Sequence, residues 1–239
     1  MKKCAVVLVA AGSGERFGRL KQMVELDGKP VIQHSLEVFL QLPYVNQIVV
    51  VLAEPLIQSR EWNEMLADLG FPKIDVVIGG STRRDSVNEG LKMLAHTTEF
   101  VCIHDGVRPF VPVESFEACI EMLANDVSLS AAIVASPCSE TLKRVHLPER
   151  MVIAATINRD EFIRSQTPQV CRYSELCQAM DLTRGKRVTD EAQILELAGM
   201  KTAVKLHYGF NPKITYPLDL ELAEAYLVRK KSAAAKTTQ

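Results

Sequence analysis

The sequence has almost no excess of charge of either sign. Its 239 residues include 28 lysines and arginines against 29 aspartates and glutamates, a formal net charge of -1. A chain of this kind creates no overall field that would attract nucleic acid or an anionic membrane. Any recognition of anions must therefore come from a local group of side chains and backbone amides.

The sequence also lacks paired cysteines and long apolar runs. None of its six cysteines forms a C-x-x-C pair, which argues against zinc and thioredoxin-like motifs, and several lie in apolar runs, as free thiols do in reducing compartments. No stretch approaches the roughly 18 to 20 apolar residues of a membrane span. Lys2 and Lys3 before the run Cys4 to Ala11 superficially resemble a signal peptide, but the short run leads into a Gly-rich turn, as a first buried strand does. We therefore expect a cytoplasmic protein.

Short apolar runs alternate with longer amphipathic segments, which predicts alternating strands and helices. The predicted strands cover Cys4 to Ala10, Gln47 to Leu52, Asp75 to Ile78, Phe100 to His104, Ser130 to Ala135, Lys201 to His207 and Lys213 to Thr215. The predicted helices cover Pro30 to Leu40, Pro55 to Leu69, Arg84 to Leu94, Pro112 to Ala124, Arg172 to Leu182, Asp190 to Ala198 and Pro217 to Lys230.

This alternation predicts an α/β fold with a doubly wound, mostly parallel sheet, which binds ligands at the carboxyl ends of its strands. The segment Pro137 to Asn158 interrupts the pattern with two β-type stretches around the turn Leu147 to Arg150, and it predicts a hairpin projecting from the sheet. We expect residues 1–231 to form a single domain and Ser232 to Gln239 to form a disordered tail.

The turn after the first predicted strand has the composition of a phosphate-binding loop. It runs Ala10-Ala11-Gly12-Ser13-Gly14-Glu15-Arg16-Phe17-Gly18 and is followed by Lys21-Gln22. Glycines let backbone amides converge on an anion, and Arg16 and Lys21 supply the charge that a triphosphate needs. The glycine spacing misses the dinucleotide fingerprint by one residue, which argues against a nicotinamide-dependent oxidoreductase. A turn that only connects a strand to a helix remains an alternative.

Two further loops follow predicted strands and carry polar side chains. They are Gly79-Gly80-Ser81-Thr82-Arg83-Arg84-Asp85-Ser86-Val87 and His104-Asp105-Gly106-Val107-Arg108-Pro109. The first permits close approach to a base or ribose, with Ser86 as a donor, but it is equally typical of a helix capped by Ser81 or Thr82. In the second, Asp105 is placed to hold a metal-bound triphosphate or a substrate hydroxyl, and Arg108 can pair with Asp105 or with phosphate. His104 is expected to be packed and hydrogen-bonded rather than catalytic.

The sequence resembles the 2-C-methyl-D-erythritol 4-phosphate cytidylyltransferase family in seven motifs that follow in order: A-A-G-x-G-x-R-F-G, K-Q, G-G-x-x-R-x-D-S-V, H-D-G-x-R-P-F, T-P-Q, T-D-E-A and N-x-K-I-T-x-P-x-D-L. The resemblance spans residues 4 to about 228, and the ordered set is far more specific than any one motif. It implies a Rossmann-like nucleotidyltransferase that moves CMP from CTP to 2-C-methyl-D-erythritol 4-phosphate and releases pyrophosphate, in the non-mevalonate route to isoprenoids.

Carried over by position, the resemblance implies three groups of site residues. The phosphate-stabilising, catalytic residues are Arg16, Lys21 and Lys213. The CTP-binding residues are Ala10, Ala11, Gly12, Gly14, Gly80, Asp85, Ser86, Asp105 and Gly106, and the acceptor-binding residues are Asp105, Arg108, Thr141, Arg159, Thr167, Thr189 and Lys213. The resemblance also implies Mg²⁺ or another divalent cation on the CTP phosphates without a direct protein ligand. The arm, residues 137–158, is implied to swap contacts across a homodimer, so that Thr141 and Arg159 reach the partner's acceptor.

Local alternatives exist for several of these residues. Arg159 can be a solvated residue at a helix start, Thr189 can cap the helix from Asp190, and Thr167 can be a turn residue before Pro168. Lys213 differs, because a lysine in a short apolar strand needs a partner or access to solvent. The loop between Arg16 and Lys21 is two or three residues shorter than is usual in the family, which removes up to about 7 to 10 Å of reach.

Two other functions remain open at this level. Ribitol-5-phosphate cytidylyltransferases share most of the same motifs, although Thr189 to Ala192 and Arg159 fit the methylerythritol enzyme somewhat better. A nucleotide-binding regulator without catalysis would keep the Gly-rich loop but would have little use for Lys213 and Arg159.

Overall fold

The computed structural model describes residues 2–12, 17, 20–70, 74–146 and 151–237. The strands in these ranges are β1 (Cys4–Ala10), β2 (Glu25–Leu26), β3 (Lys29–Pro30), β4 (Val45–Leu52), β5 (Ile74–Ile78), β6 (Phe100–Asp105), β7 (Ala131–Pro137), β8 (Leu142–His146), β9 (Val152–Ile157), β10 (Ile163–Arg172) and β11 (Thr202–Leu206). The helices are α1 (Val31–Gln41), α2 (Glu54–Ile57), α3 (Arg60–Leu69), α4 (Arg83–Lys92), α5 (Val113–Asn125), α6 (Tyr173–Leu182), α7 (Glu191–Leu197) and α8 (Pro217–Thr237). Among the described helices, none has the length and apolar character to cross a membrane.

Seven strands form one sheet in the order β11-β7-β10-β6-β1-β4-β5. β1 pairs in parallel with β4 and β6, β4 pairs in parallel with β5, and β7 pairs in parallel with β11. Only β10 within this sheet runs antiparallel to its neighbours, β6 and β7. The predicted mostly parallel α/β sheet is therefore confirmed.

Both faces of the sheet are covered by helices, because the central strands are apolar on both sides. In β1, Val6 and Leu8 pack with residues of α1, α3 and α5, whereas Ala5 and Val7 pack with residues of α4, α6 and α7. A strand buried on both faces must be apolar throughout, as the run from Cys4 is. A third, smaller cluster joins Val107 and α8, so this last helix lies behind the loop that follows β6.

The strand β10 was not predicted, although it lies between β6 and β7 near the middle of the sheet. Its first half is polar, from Arg164 to Thr167, and its centre contains Pro168, which has no N–H to donate to a neighbouring strand. The structure accommodates the proline where the pairing of β10 with β7 is irregular, between Ser165 and Gln169. Only the run from Thr167 to Cys171 is buried in the manner expected of a central strand.

Three further predictions need correction. Lys213 to Thr215 do not form a strand: the segment lies between Pro212 and Pro217, and one backbone hydrogen bond, from Ile214 to the Val107 carbonyl, holds it. The helix predicted from Pro55 is two helices, because the Ser59 side chain caps a new one by accepting the Trp62 N–H. The tail from Ser232, predicted to be disordered, continues α8 to Thr237, and its three alanines are strong helix formers.

The predicted hairpin is confirmed. β8 and β9 pair antiparallel and form a two-stranded sheet separate from the main one. The turn at residues 147–150 lies outside the described residues. Much of β9 is exposed even though it is apolar.

Candidate active site

The loops after β1, β5 and β6 meet at the carboxyl edge of the sheet and enclose a pocket of about 420 Å³, here called the main pocket. Eight residues implied by the family resemblance line it: Ala10, Ala11, Gly12, Lys21, Gly80, Ser86, Asp105 and Lys213. The expectation that ligands bind at this edge of the sheet agrees with the position of the pocket. Gly14 and Arg16 lie outside the described residues.

The loops that line the main pocket approach each other too closely for larger side chains. A Cβ atom on Gly79 would lie 2.4 Å from the Ala11 Cβ, and one on Gly80 would lie 2.3 Å from the Asp85 Cβ. Contacts this short do not occur between carbon atoms, so a side chain at either position would push the loops apart. Gly79 therefore permits the close approach of the loop after β5 to the loop after β1, and Gly80 permits its close approach to the start of α4.

Asp85 and Gly106 do not line the main pocket. Asp85 accepts hydrogen bonds from the hydroxyl groups of Ser81 and Thr82, both at 2.8 Å, and from the Thr82 N–H. Thr82 in turn accepts the Asp85 N–H, which completes a capping box at the start of α4. The capping alternative is thus confirmed for Thr82, and Asp85 supports the pocket loop from behind. Gly106 donates its N–H to the Val9 carbonyl and joins β6 to the end of β1.

The shortened loop still brings Lys21 to the main pocket. Lys21 begins a short 3₁₀ helix, and the adjacent Gln22 is almost completely buried. The Gln22 amide donates to the Ala10 carbonyl at 3.0 Å, which ties this helix to the end of β1. The loss of reach inferred from the sequence therefore does not remove Lys21 from the pocket wall.

Asp105 is the charged centre of the site. Its carboxylate is nearly buried and receives Lys213 Nζ at 2.9 Å on Oδ2 and Arg83 Nε at 3.4 Å on Oδ1, with Arg108 Nε 3.5 Å from Oδ2. Burial alone would raise the pKa of Asp105, but the charges of Arg83, Lys213 and Arg108 hold it well below its usual range. Asp105 is therefore ionised at neutral pH and available as a hydrogen-bond acceptor.

Arg83 and Glu191 are site residues that the sequence analysis did not single out. The Arg83 guanidinium binds both oxygens of the Glu191 carboxylate, at 2.7 and 3.0 Å, and Glu191 is fully buried. Burial alone would lower the pKa of Arg83, but the charges of Glu191 and Asp105 raise it above its usual value. The signal was present as two arginines at a helix start, where the helix dipole disfavours cations.

A second pocket of about 230 Å³, here called the side pocket, adjoins the main pocket and shares Arg83, Asp105 and Lys213 with it. The residues implied to bind the acceptor that line it are Asp105, Arg108, Thr167, Thr189 and Lys213. The side pocket also has walls that the sequence analysis missed, at Ser165, Gln166, Gln169 and Asp190. The first three belong to β10, which explains why they were not recognised.

A chain of hydrogen bonds supports the wall that the two pockets share. Thr167 accepts the Asp105 N–H, and its hydroxyl donates to Nδ1 of His104, each at 3.1 Å. Nε2–H of His104 donates to the Arg108 carbonyl, also at 3.1 Å. Burial lowers the pKa of His104 to about 4, so the ring is neutral. His104 is packed and hydrogen-bonded, as expected, and Thr167 lies in β10 rather than in a turn.

The start of α7 forms another wall of the side pocket. Asp190 caps the helix by accepting the Gln193 N–H, and its other oxygen accepts the Ser165 hydroxyl at 2.7 Å. Thr189 does not occupy the capping position proposed as its local alternative. It lies one residue earlier, and both its N–H and its hydroxyl donate to Gln193 Oε1.

Thr141 and Arg159 line neither pocket. Both are exposed, and Arg159 donates to the Ser139 carbonyl at the base of the hairpin. The structure of one chain therefore does not bring these two residues to the side pocket with the others.

Among the residues that the structure describes, no group of three or more His, Cys, Asp or Glu side chains converges. Asp105 supplies a carboxylate to the main pocket, and its oxygens already contact cationic side chains. Mg²⁺ often arrives on nucleotide phosphates and keeps several of its waters. Among the described residues that line the main pocket, Asp105 is the carboxylate that could face an ion of that kind.

The fold and these pockets define a class of protein: a Rossmann-like α/β nucleotidyltransferase, with a cation-lined pocket at the carboxyl edge of a parallel sheet. Comparison with known proteins gives the family. The family model described as 2-C-methyl-D-erythritol 4-phosphate cytidylyltransferase (IspD) matches residues 4–229. The chain belongs to this family.

Individual relatives agree over nearly the whole chain. Proteins named 2-C-methyl-D-erythritol 4-phosphate cytidylyltransferase from Alkaliphilus metalliredigens and Dechloromonas aromatica are each 37% identical, covering 96% and 97% of this chain and 95% and 100% of their own lengths. The crystal structure of 4-diphosphocytidyl-2C-methyl-D-erythritol synthase from Anaerococcus prevotii has a TM-score of 0.81 at 30% identity, covering 95% of this chain and 96% of that one. The family match, residues 4–229, thus includes the hairpin and the first part of α8 as well as the sheet.

Proposed function

We propose that this protein transfers CMP from CTP to 2-C-methyl-D-erythritol 4-phosphate and releases pyrophosphate, a step of the non-mevalonate route to isoprenoids. Membership of the family supports this activity. The structural observation that carries it is the pair of adjoining pockets with a common wall at Asp105, Lys213 and Arg83. CTP occupies the main pocket and the acceptor occupies the side pocket, so that the acceptor phosphate meets the α-phosphorus of CTP at this wall.

The reaction needs charge stabilisation rather than a strong base. A phosphate oxygen of the acceptor is already a nucleophile; it forms a bond to the α-phosphorus of CTP, and the bond from that phosphorus to the pyrophosphate oxygen breaks. The protein must offset the repulsion between two anions and the charge that gathers around phosphorus. Lys21 and Lys213 line the main pocket for this task, and the family resemblance adds Arg16. Holding both substrates at a common wall also removes much of the entropic cost of their encounter.

Asp105 has a different role, which is to orient the acceptor. An ionised carboxylate is an acceptor of hydrogen bonds only, and it is well suited to a hydroxyl group of a polyol. Its low pKa keeps it in that form. Thr167 and Thr189 add polar groups to the same pocket.

A divalent cation, Mg²⁺ in the first instance, is part of the proposal. The residue placed to face it in the main pocket is Asp105. When bound to the CTP phosphates, such an ion neutralises part of their negative charge and makes pyrophosphate a better leaving group.

We also propose that the protein is a cytoplasmic homodimer whose arm, residues 137–158, contacts the partner. Met151, Val152 and Ile153 of the hairpin are each at least half exposed, and an exposed apolar group of this kind commonly marks an interface. Thr141 lies in the arm and Arg159 directly follows it, and neither lines the main or the side pocket of its own chain, which suits residues that reach the partner's side pocket. The free, mostly buried cysteines are typical of a reducing compartment.

The test is pyrophosphate release from CTP and Mg²⁺ with 2-C-methyl-D-erythritol 4-phosphate or ribitol 5-phosphate as the paired acceptors. We expect turnover with the methylerythritol compound, and the comparisons do not favour ribitol phosphate. Exclusive turnover of ribitol 5-phosphate would overturn the acceptor assignment. Binding of CTP without pyrophosphate release in the presence of either acceptor would instead support a regulator without catalysis.

A further inference from the structure

Two consecutive arginines begin α4, and they make contacts in different directions. Arg84 donates to the Thr183 carbonyl at 2.9 Å and to the Met180 carbonyl, so it provides hydrogen-bond donors for the free carbonyl groups at the end of α6. In the hydrogen bonds described for Arg83, the acceptors are all carboxylates, those of Glu191 and Asp105. Cations are disfavoured at a helix start, and sequence choices that oppose a local preference often mark functional positions. Arg84 has a clear structural role, whereas Arg83 faces the site.

The contact between Arg83 and Glu191 joins the walls of both pockets. The two residues are 108 positions apart in the sequence. Arg83 follows Thr82, which lines the main pocket, and Glu191 follows Thr189 and Asp190, which line the side pocket. Arg83 itself lines both pockets, whereas Glu191 lines neither. Glu191 can therefore affect the substrates only through the residues that it holds.

The geometry of Arg83 constrains Asp105. Because both terminal nitrogens of Arg83 bind Glu191, only Nε faces Asp105, at 3.4 Å from Oδ1. Lys213 holds the other oxygen. An arginine free of Glu191 would be able to turn its two-pronged face to Asp105, since bidentate pairing is the preferred geometry between these groups. Such a contact would occupy the carboxylate that the acceptor needs.

We propose that Glu191 is a positioning residue that holds the Arg83 guanidinium between the two pockets, and so keeps the Asp105 carboxylate available to the acceptor. This role rests on the proposed cytidylyltransferase function. It predicts that loss of the Glu191 charge weakens binding of the acceptor more than binding of CTP. Asp105 is then occupied by Arg83, while the loops that line the rest of the main pocket remain in place.

The experiment compares Glu191→Gln with Arg84→Gln by steady-state kinetics and thermal unfolding. Glu191→Gln preserves the shape of the side chain but removes its charge. We expect the KM for 2-C-methyl-D-erythritol 4-phosphate to rise about tenfold, as for the loss of one hydrogen bond to a charged group, and the KM for CTP to change less than about twofold. Arg84→Gln removes a charge from the next residue of the same helix and should lower the Tm with both KM values unchanged.

A double-mutant cycle with Arg83→Gln and Glu191→Gln tests whether the two residues act together. We expect the double variant to be no worse than Arg83→Gln alone, since Glu191 has nothing to position once the guanidinium is absent. If Glu191→Gln is too unstable to purify, Glu191→Asp takes its place, because it keeps the charge but its shorter side chain cannot hold both terminal nitrogens of Arg83. A smaller rise in the acceptor KM, again with little change in the KM for CTP, is then expected.

Two outcomes would overturn the positioning role. One is a Glu191→Gln variant that behaves like Arg84→Gln, with a lower Tm and unchanged KM values; the other is additive losses in the cycle. If the wild type is active, either result would leave the cytidylyltransferase function intact and would refute only the positioning role. A wild type that releases no pyrophosphate with either acceptor would instead refute the proposed function, and the positioning role would fail with it.

Discussion

The charge balance around Asp105 depends on few residues. One carboxylate lies among three cationic side chains, and a bound pair of phosphates would add further negative charge at the same wall. Lys213 is the cation that lines both pockets from a segment without regular secondary structure, so its side chain can be removed with little effect on the sheet.

We expect Lys213→Ala to reduce kcat by about two orders of magnitude or more, because a preorganised charge at a transition state commonly contributes roughly 3 to 4 kcal/mol. The Tm should fall modestly, because the nearly buried Asp105 loses one of its three cationic partners. The matched control is Lys29→Ala, which breaks an exposed pair with Glu37 on the surface and should leave the kinetics unchanged. Activity close to that of the wild type in Lys213→Ala would contradict the role assigned to this lysine.

The buried histidine provides a second test at the scale of one residue. The pKa of His104 is lowered to about 4 in the folded protein from about 6.5 in the unfolded chain. Between these values the unfolded chain binds more protons at His104, so the contribution of His104 to the free energy of unfolding is fully present above pH 6.5 and is lost as the pH falls toward 4. The lost stability amounts to about 3 kcal/mol at most.

Urea unfolding of the wild type and of His104→Gln at pH 7 and pH 5 measures this contribution. The glutamine amide can still donate to the Arg108 carbonyl but does not titrate. The variant should therefore lose less stability than the wild type between the two pH values. Equal losses in both proteins would mean that His104 is not the titrating group.

Sequence patterns identified those site residues that a single loop can present. Asp105 and Lys213 belong to short motifs at the ends of elements, and both line the pockets. The pair of Arg83 with Glu191 was missed because it forms between segments 108 residues apart. Nothing in the local sequence of either residue specifies its partner; only the order of strands in the sheet brings them together.

Among the elements, the start of α4 links helix stability to the shape of the main pocket. The capping box of Thr82 and Asp85 stabilises the helix and also fixes the loop from Gly80 to Thr82 that lines the pocket. We expect Thr82→Ala to lower the free energy of unfolding by about 1 kcal/mol and to raise the KM for CTP. Denaturant unfolding and initial-rate kinetics measure the two effects.

Ser59→Ala is the matched control for Thr82→Ala. Ser59 caps α3 through the Trp62 N–H and lines neither pocket, so its loss should cost a similar stability with an unchanged KM for CTP. If both variants leave this KM unchanged, the capping box serves the helix alone.

The strands and helices predicted most accurately from the sequence are those with a regular hydrophobic pattern. β1 is apolar throughout and β6 is apolar from Phe100 to Ile103, and the sequence located both strands to within one residue. β10 lacks the apolar pattern of a central strand, because its polar half faces the side pocket and its proline interrupts pairing. Lys213 to Thr215 showed the opposite error: the composition suggested a strand, but flanking prolines leave too few N–H groups for a ladder.

At the scale of the whole molecule, the residues that the family resemblance implies for the site are divided between the sheet edge and the neighbourhood of the hairpin. The main and side pockets lie at the carboxyl edge of the sheet, whereas Thr141 and Arg159 adjoin the hairpin and line neither pocket. If the arm crosses to a partner, as proposed, each complete site combines the pockets of one chain with the hairpin of the other. This arrangement can be tested without a structure of the dimer.

We expect an active hybrid from two inactive variants. Lys213→Ala disables a chain's own pockets, and Arg159→Ala disables the hairpin that it lends to its partner. Chains that carry different affinity tags are coexpressed, and dimers that hold one chain of each kind are purified through both tags in succession. One of the two sites in such a dimer has an intact Lys213 and an intact Arg159, so the hybrid should show about half of the wild-type kcat per dimer.

The control is a doubly tagged dimer in which both chains carry Lys213→Ala, and it should be inactive, since neither site is intact. An inactive hybrid would show that Arg159 acts within its own chain, because then each chain would hold one defect in its only site. Failure to recover any doubly tagged protein, with a monomer mass by light scattering, would refute the homodimer itself. A hybrid at half activity therefore requires both the dimer and the crossing of the arm, because no arrangement of independent chains restores a complete site.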